Sequence, residues 1–204
     1  MNDKKLARRR MLQAFTKKDI LKAAIRILTT GGMQGLTMDR VAAEAGVAKG
    51  TLYLHFKNKK QIYDDAINES MVPLLEELNA VAESDRAPDE KLRELSHCYV
   101  TFFTTHQELY RVILYDRQRA HDTPRRYSSS RYRNYVKRIA AIIDEGIASD
   151  LFRPLDSNKL AAMFIEANVA VVIQRLLSDT SISIEDDVSL VVELFMHGIR
   201  RCST

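Results

Sequence analysis

The chain has 204 residues, of which 46% are hydrophobic and 28% are charged, and it contains only two cysteines. This composition excludes a disordered chain, a fibrous chain and a small disulfide-stabilised domain. The net charge of +4 is unevenly divided, because residues 1–60 contain 14 Lys and Arg against 4 Asp and Glu, whereas residues 61–204 contain 17 against 23. A basic segment followed by an acidic remainder is typical of a protein that places one end on a polyanion.

Residues 1–15 form a basic segment that includes Lys4-Lys5-Leu6-Ala7-Arg8-Arg9-Arg10. Two interpretations of this arm stay open: it follows the minor groove or the phosphates of DNA, or it is a solvated tail. It is not expected to be a secretion signal, because the apolar run Met11–Phe15 is too short. The first helix is predicted to begin at Thr16, which opens a capping-box pattern, and to stop at Gly31-Gly32.

Residues 37–60 are the most informative segment, because they predict two short helices joined by a glycine turn. Thr37 is a helix cap, and the apolar residues that follow it lie on one helical face. Gly46 stands where the chain must leave the helix through a left-handed conformation. The two helices are expected at about 38–45 and 48–56, as in a helix-turn-helix. The spacing alone also fits a purely structural helix pair, and the basic charge of this end favours DNA.

The second of these helices carries side chains that suit DNA rather than a protein core. Lys49, Gly50 and Thr51 open it and are predicted to contact base edges, since lysine donates to guanine and a threonine methyl meets the methyl of thymine. The predicted phosphate contacts are Thr37, Tyr53, His55 and Lys59. His55 has the alternative of bonding a nearby backbone group. It has no second ligand at metal spacing, so no metal site and no cofactor are expected.

Four stretches of this segment resemble the N-terminal domain of the TetR/AcrR family of transcriptional regulators. They are Gly35-Leu36-Thr37, Val41-Ala42-Ala43-Glu44-Ala45-Gly46-Val47, Lys49-Gly50-Thr51-Leu52-Tyr53-Leu54-His55-Phe56 and Lys57-Asn58-Lys59-Lys60. One departure is Ala48, where the family often has a Ser or Thr cap. The resemblance implies an all-α fold of about nine helices, with a three-helix DNA-binding head on a regulatory and dimerisation body. The expected division is a basic arm over 1–15, a helix-turn-helix domain over 16–60 and an effector-binding and dimerisation domain over 61–204.

The remaining helices are predicted from periodicity, caps and prolines. A fourth helix runs from about Lys59 into the eighties, with a kink or a break at Pro73. Further helices are expected over about 88–106, 107–116 and 125–149, then from Asp156 or Ser157 to about 177, and from Ser183 to about 201. The apolar stretch 160–177 contains four polar residues, so it is not interpreted as a membrane span. The chain is expected to be cytoplasmic, with no membrane partner.

The body is expected to hold an effector pocket and a dimer interface. Most residues assigned below to the pocket or to the interface could instead simply pack in the core of the subunit. The predicted pocket contains Met71, Leu75, Leu78, His97, Tyr99, Phe102, Phe103, His106, Tyr110, Leu114 and Tyr135. The predicted dimer interface contains Met163, Phe164, Ala167, Val171, Val188, Val192, Phe195 and Ile199. A basic stretch over 117–138 is either a solvated face or a site for the anionic group of an effector.

These patterns favour a ligand-responsive regulator of transcription. We expect a homodimer on a near-palindromic operator of double-stranded DNA, released by a small hydrophobic or amphipathic effector. An enzyme is not favoured, since the sequence has no phosphate loop, nucleophile elbow or metal-spaced His/Cys cluster. A helical carrier would explain the body but not the basic head. A DNA-binding protein without an effector, or an activator, remains the main alternative.

Overall fold

The computed structural model describes the backbone of residues 2–119, 130–178 and 182–200, and the side chains of 16–114, 132–178 and 182–200. This part of the chain forms ten α-helices and no strand, apart from one isolated antiparallel bridge between Phe152 and Arg200. The predicted all-α fold is confirmed. The chain divides into a head unit, residues 1–72 with 108–116, and a body unit, residues 73–107 with 117–204.

Helix α1 spans Asn2–Gly35 and begins well before the predicted start at Thr16. Residues 2–15 are helical rather than an extended arm, because they are rich in Lys, Arg, Leu and Ala and contain no Gly or Pro. The helix was predicted to stop at Gly31-Gly32; it kinks there instead, since Gly32 has a positive φ of 58°, and the helical run continues to Gly35.

Three helices complete the first part of the head unit: α2 (Met38–Ala45), α3 (Lys49–His55) and α4 (Lys59–Ser70). Helix α1 packs against α2 and α4, and α2 packs against α3. The apolar side chains between them are almost completely buried: Ile20, Ala24, Leu28, Val41, Leu52, Phe56, Ile62 and Ala66. Helix α4 therefore lies in the head unit, whereas the sequence analysis placed the domain boundary at residue 60.

Helix α5 spans Val72–Ala82, so the long fourth helix of the sequence analysis is two helices. The break at Met71 has its cause in Pro73, which lacks a backbone N–H and whose ring clashes with the carbonyl four residues earlier. The predicted break at this proline is confirmed. It also explains why the described residues form ten helices where about nine were expected for the chain.

The body unit contains α6 (Pro88–Thr105), α8 (Ser130–Ala148), α9 (Ser157–Leu177) and α10 (Ile184–Ile199), while most of α7 (Gln107–Arg119) belongs to the head unit. Helix α9 packs against α8 and α6, and α10 packs against α6 and α9. Two predicted caps are present. The Asp156 side chain accepts a hydrogen bond from the amide of Lys159, and the Ser183 hydroxyl accepts one from the amide of Asp186, both at 3.0 Å.

Helix α9 is long and apolar enough to cross a membrane, the one such helix in the described residues. It is nevertheless a packed helix of the body unit, because Phe164, Ile165 and Val172 are buried. The buried Asn168 donates to the carbonyl of Phe164 at 2.9 Å, and its side-chain oxygen accepts a hydrogen bond from the hydroxyl of Ser96 on α6. A satisfied polar pair of this kind fixes the register between α6 and α9.

Candidate DNA-binding site

The turn between α2 and α3 is fixed by local hydrogen bonds. The Thr37 hydroxyl accepts a bond from the amide of Arg40 at 3.2 Å and so caps α2. At the other end Gly46 adopts the left-handed conformation, with φ 67°, and donates to the carbonyl of Ala43 at 3.2 Å, while Val47 donates to the carbonyl of Ala42 at 3.0 Å. This is a Schellman cap, and it turns the chain sharply into α3. The predicted helix-turn-helix geometry is present.

Helix α3 has a clear inner and outer side. Leu52 is fully buried against the head unit. Since each helical residue advances by about 100°, Gly50 and Leu54 lie on the side opposite Leu52, and Thr51 and Tyr53 flank them. The exposed fractions agree, since Leu54 is 82% exposed and Tyr53 is 52% exposed. We call residues 50, 51, 53 and 54 the outward face of α3.

Lys49 is paired with a carboxylate of the preceding helix. Its ammonium lies 2.6 Å from Oδ1 of Asp39, in the first turn of α2, and both side chains are largely exposed. The hydrogen bond and the charge of Asp39 raise the pKa of Lys49 above its ordinary value. The pair holds the Lys49 ammonium beside the outward face of α3.

Three further ion pairs connect α1 to the rest of the head unit. Arg26 lies 2.7 Å from Glu44 on α2, Lys17 lies 3.1 Å from Asp65 on α4, and Lys18 lies 3.6 Å from Glu69 on α4. Each pair has at least one largely exposed partner, so each contributes little stability. Three of the acidic groups in this unit are therefore paired with cations of α1.

Two profiles of known families cover most of the chain. The profile described as "Bacterial regulatory proteins, tetR family" matches residues 20–66, which contain the helix-turn-helix. A second, described as "Tetracyclin repressor-like, C-terminal domain", matches residues 85–174 in the body. The chain belongs to the TetR family of bacterial regulatory proteins. It is accordingly a DNA-binding transcriptional regulator, as the resemblance implied.

Relatives of this TetR-family chain are themselves regulators. It is 29% identical to the HTH-type transcriptional regulator YhgD of Bacillus subtilis over 160 residues, which cover 76% of this chain and 82% of that protein. It is 24% identical to the fatty acid metabolism regulator protein of B. subtilis over 88% of this chain and 93% of that one. Among solved structures, FadR of B. subtilis in complex with stearoyl-CoA superposes with a TM-score of 0.78 at 23% identity, covering 90% of this chain and 99% of FadR.

The predicted DNA-contacting residues of this TetR-family head lie at its surface. Thr37, Lys49, Gly50, Tyr53 and Lys59 are exposed, and Thr51 and His55 are half-buried. The capping bond of Thr37 uses an oxygen lone pair, so its hydroxyl proton remains available for a phosphate oxygen. Lys59 is the first residue of α4, where unpaired amides also attract anions. Asp39 and Leu54 were not among the predicted site residues, and the structure places Asp39 against Lys49 and Leu54 on the outward face of α3.

Asp39→Asn is expected to raise the affinity for random-sequence DNA by roughly fivefold, the effect of removing one charge a few ångströms from a phosphate in water. It also releases Lys49, so discrimination between operator and random DNA should fall. Fluorescence anisotropy with both duplexes measures this. The matched control is Glu44→Gln, which removes the same charge and an exposed ion pair from another side of α2. An equal change in both variants would contradict a specific role for Asp39.

Four aromatic residues of the predicted effector pocket, Tyr99, Phe102, Phe103 and Tyr135, lie in the body unit, where each contacts another ring. The ring centroids of Tyr99 and Phe103 are 4.8 Å apart, those of Tyr99 and Tyr135 are 6.4 Å apart, and those of Phe102 and His106 are 4.4 Å apart. Burial raises the pKa of Tyr135 above its ordinary value. Leu78 is buried and Leu75 half-buried in the same unit, whereas Met71, Tyr110 and Leu114 belong to the head unit.

His97 does not join this aromatic cluster. Its Nε2 lies 3.8 Å from a carboxylate oxygen of Glu185 on α10. Residues two apart on a helix point about 200° apart, so His97 and Tyr99 lie on different sides of α6, and the prediction of His97 as a polar group of the pocket stays a prediction. Most of the basic stretch 117–138 lies outside the described side chains. Within it, Arg133, Lys137 and Arg138 are exposed, and Arg138 lies 3.9 Å from Glu83.

The predicted dimer residues fall into two groups. Phe164, Val188, Val192 and Ile199 are at most 3% exposed, so they belong to the core of the subunit and their assignment to the interface was wrong. Helices α9 and α10 are apolar on more than one face. Their inner faces pack within the body unit, α9 against α6 and α8 and α10 against α6. Ala167, Val171 and Phe195 are half-buried. The large exposed apolar side chains on these helices are Met163, Leu177, Leu190 and Leu194, of which only Met163 was predicted.

Proposed function

We propose that this regulator is a repressor that binds a near-palindromic operator as a homodimer and releases it when an amphipathic effector binds. The observation that carries the proposal is the outward face of α3, exposed beside the ammonium of Lys49 within the basic segment 1–60. A helix presented in this way enters the major groove, while neighbouring cations and hydroxyls bind phosphates.

The proposed homodimer uses the exposed faces of α9 and α10. Met163, Ala170 and Leu177 follow one another at intervals of seven residues on α9, and Leu190 and Leu194 are four apart on α10, so each set forms one stripe. Leu177, Leu190 and Leu194 are more than half exposed in the single chain. Two such stripes from each subunit would form an isologous four-helix interface, which sets two heads on the two halves of one operator.

The proposed effector has a long apolar part and an anionic head, as a fatty acyl-CoA does. Support comes from the fatty acid metabolism regulator and from FadR in complex with stearoyl-CoA, which match nearly the whole chain. The apolar cluster of Tyr99, Phe102 and Phe103 and the basic composition of 117–138 suit the two parts of such a molecule. Binding would favour the conformer whose heads no longer match major grooves spaced about 34–36 Å apart.

The test is fluorescence anisotropy with an operator selected from randomised DNA, in the presence of palmitoyl-CoA, free CoA or palmitate. Palmitoyl-CoA is expected to lower operator affinity by about 5–150-fold, the usual range of allosteric coupling, and free CoA is expected to have no effect. If no amphiphile changes the affinity, the alternative of a DNA-binding protein without an effector is favoured. Transcription in vitro that rises on operator binding would identify an activator instead.

A further inference from the structure

Leu54 is the most exposed large apolar side chain in the part of the chain that the structure describes, at 82%. It lies on the outward face of α3, opposite the buried Leu52 and one turn after Gly50. Single exposed leucines are common on protein surfaces. This one lies beside Gly50, Thr51 and Tyr53 on a face without other aliphatic side chains, so its position calls for an explanation.

Gly50 is the second unusual choice on the same face. A Cβ added to Gly50 would meet no atom within 4 Å, and the backbone there is ordinary helix. Nothing inside the subunit therefore requires a glycine, although a helical glycine destabilises by about 0.5–1 kcal/mol relative to alanine. Gly50 and Leu54 therefore lie side by side on α3, and neither stabilises the free protein. Such residues are expected on a surface that a binding partner approaches closely.

The chemistry of leucine restricts what Leu54 can contact on DNA. It has no donor for a phosphate oxygen, so it adds nothing to sequence-independent affinity. The apolar group that a base presents in the major groove is the 5-methyl of thymine. We propose that Leu54 packs against a thymine methyl in each half of the operator, and that Gly50 lets the backbone of α3 approach the base edges. Leu54 is then a specificity-determining residue of the proposed operator-binding function, on which this inference rests.

The test replaces each operator thymine in turn by deoxyuridine, which lacks only the methyl group. For the wild-type chain, operator affinity should fall about fourfold when one particular thymine of each half-site loses its methyl group, and it should change less at the other thymines. For Leu54→Ala, affinity for the unmodified operator should fall, and the same replacement should then have no effect. Leu155→Ala, a change at a 42% exposed leucine of the body, is the control and should keep the wild-type pattern.

A second variant tests the close approach at Gly50. Gly50→Ala should weaken operator binding while leaving the fold at least as stable, as measured by thermal unfolding. If Leu54→Ala shows the same sensitivity to deoxyuridine as the wild type, the inference is overturned while the proposed function stands. If the wild-type chain selects no DNA sequence, the proposed function is overturned and this inference with it.

Discussion

Leu194→Glu is expected to separate the homodimer and to lower operator affinity by roughly a hundredfold or more, the usual gain from linking two binding sites. Leu194 is 70% exposed on α10, one turn from Leu190, which is 56% exposed. A glutamate in the centre of an apolar interface would be buried without a partner in the dimer, but it is solvated in the monomer. The single subunit should therefore fold normally and carry only one head.

Analytical ultracentrifugation gives the oligomeric state of this variant, and fluorescence anisotropy gives its operator affinity. Leu155→Glu is the matched control, because Leu155 is a 42% exposed leucine of the same unit that lies outside α9 and α10. The control should remain dimeric and bind like the wild type. A Leu194→Glu variant that is still dimeric, or a monomer with undiminished affinity, would contradict the proposed interface.

Gly146→Ala is expected to destabilise the body unit by roughly 1–3 kcal/mol, as overpacking of a tight core does. A Cβ at position 146 would lie 2.1 Å from Cδ2 of the fully buried Phe152. The backbone cannot move away easily, because the carbonyl of Gly146 accepts hydrogen bonds from the amides of Leu151 and Phe152 at 2.9 and 3.0 Å. Urea unfolding followed by circular dichroism measures the loss.

The loss of stability should extend to α10, because the segment after α8 is hydrogen-bonded to the end of that helix. The amide of Arg153 donates to the carbonyl of Ile199 at 2.7 Å, and the Arg153 side chain bonds the carbonyl of Gly198. The double variant Gly146→Ala with Phe152→Leu should recover part of the stability, because the smaller side chain leaves room for the new methyl group. A Gly146→Ala variant as stable as the wild type would show that this contact relaxes without cost.

Local chemistry made the head predictable from sequence. The caps at Thr37 and Gly46 depend on residues within a few positions of each other, and α2 was predicted at the residues it occupies. The break at Pro73 was predictable for the same reason. The start of α1 was missed because the pattern at Thr16 was interpreted as a cap, although the residues before it are themselves strong helix formers.

Contacts between helices were less predictable. The pairing of Asp39 with Lys49 depends on how α2 and α3 cross, which periodicity does not encode. The interface was assigned partly to the wrong faces, because α9 and α10 carry apolar residues on both their inner and their exposed sides. Phe164 and Leu194 have the same chemical character in the sequence, and only packing places one in the core and the other at the surface.

Selection of bound duplexes from randomised DNA, followed by sequencing, tests the central claim most directly. The account predicts an enriched near-palindrome whose half-sites are centred about one helical turn, or a multiple of it, apart. It also predicts that the enrichment is lost when the selection is repeated with Leu194→Glu. If no sequence is enriched, or only a single half-site without symmetry, the result would contradict a homodimer that recognises DNA through the outward face of α3.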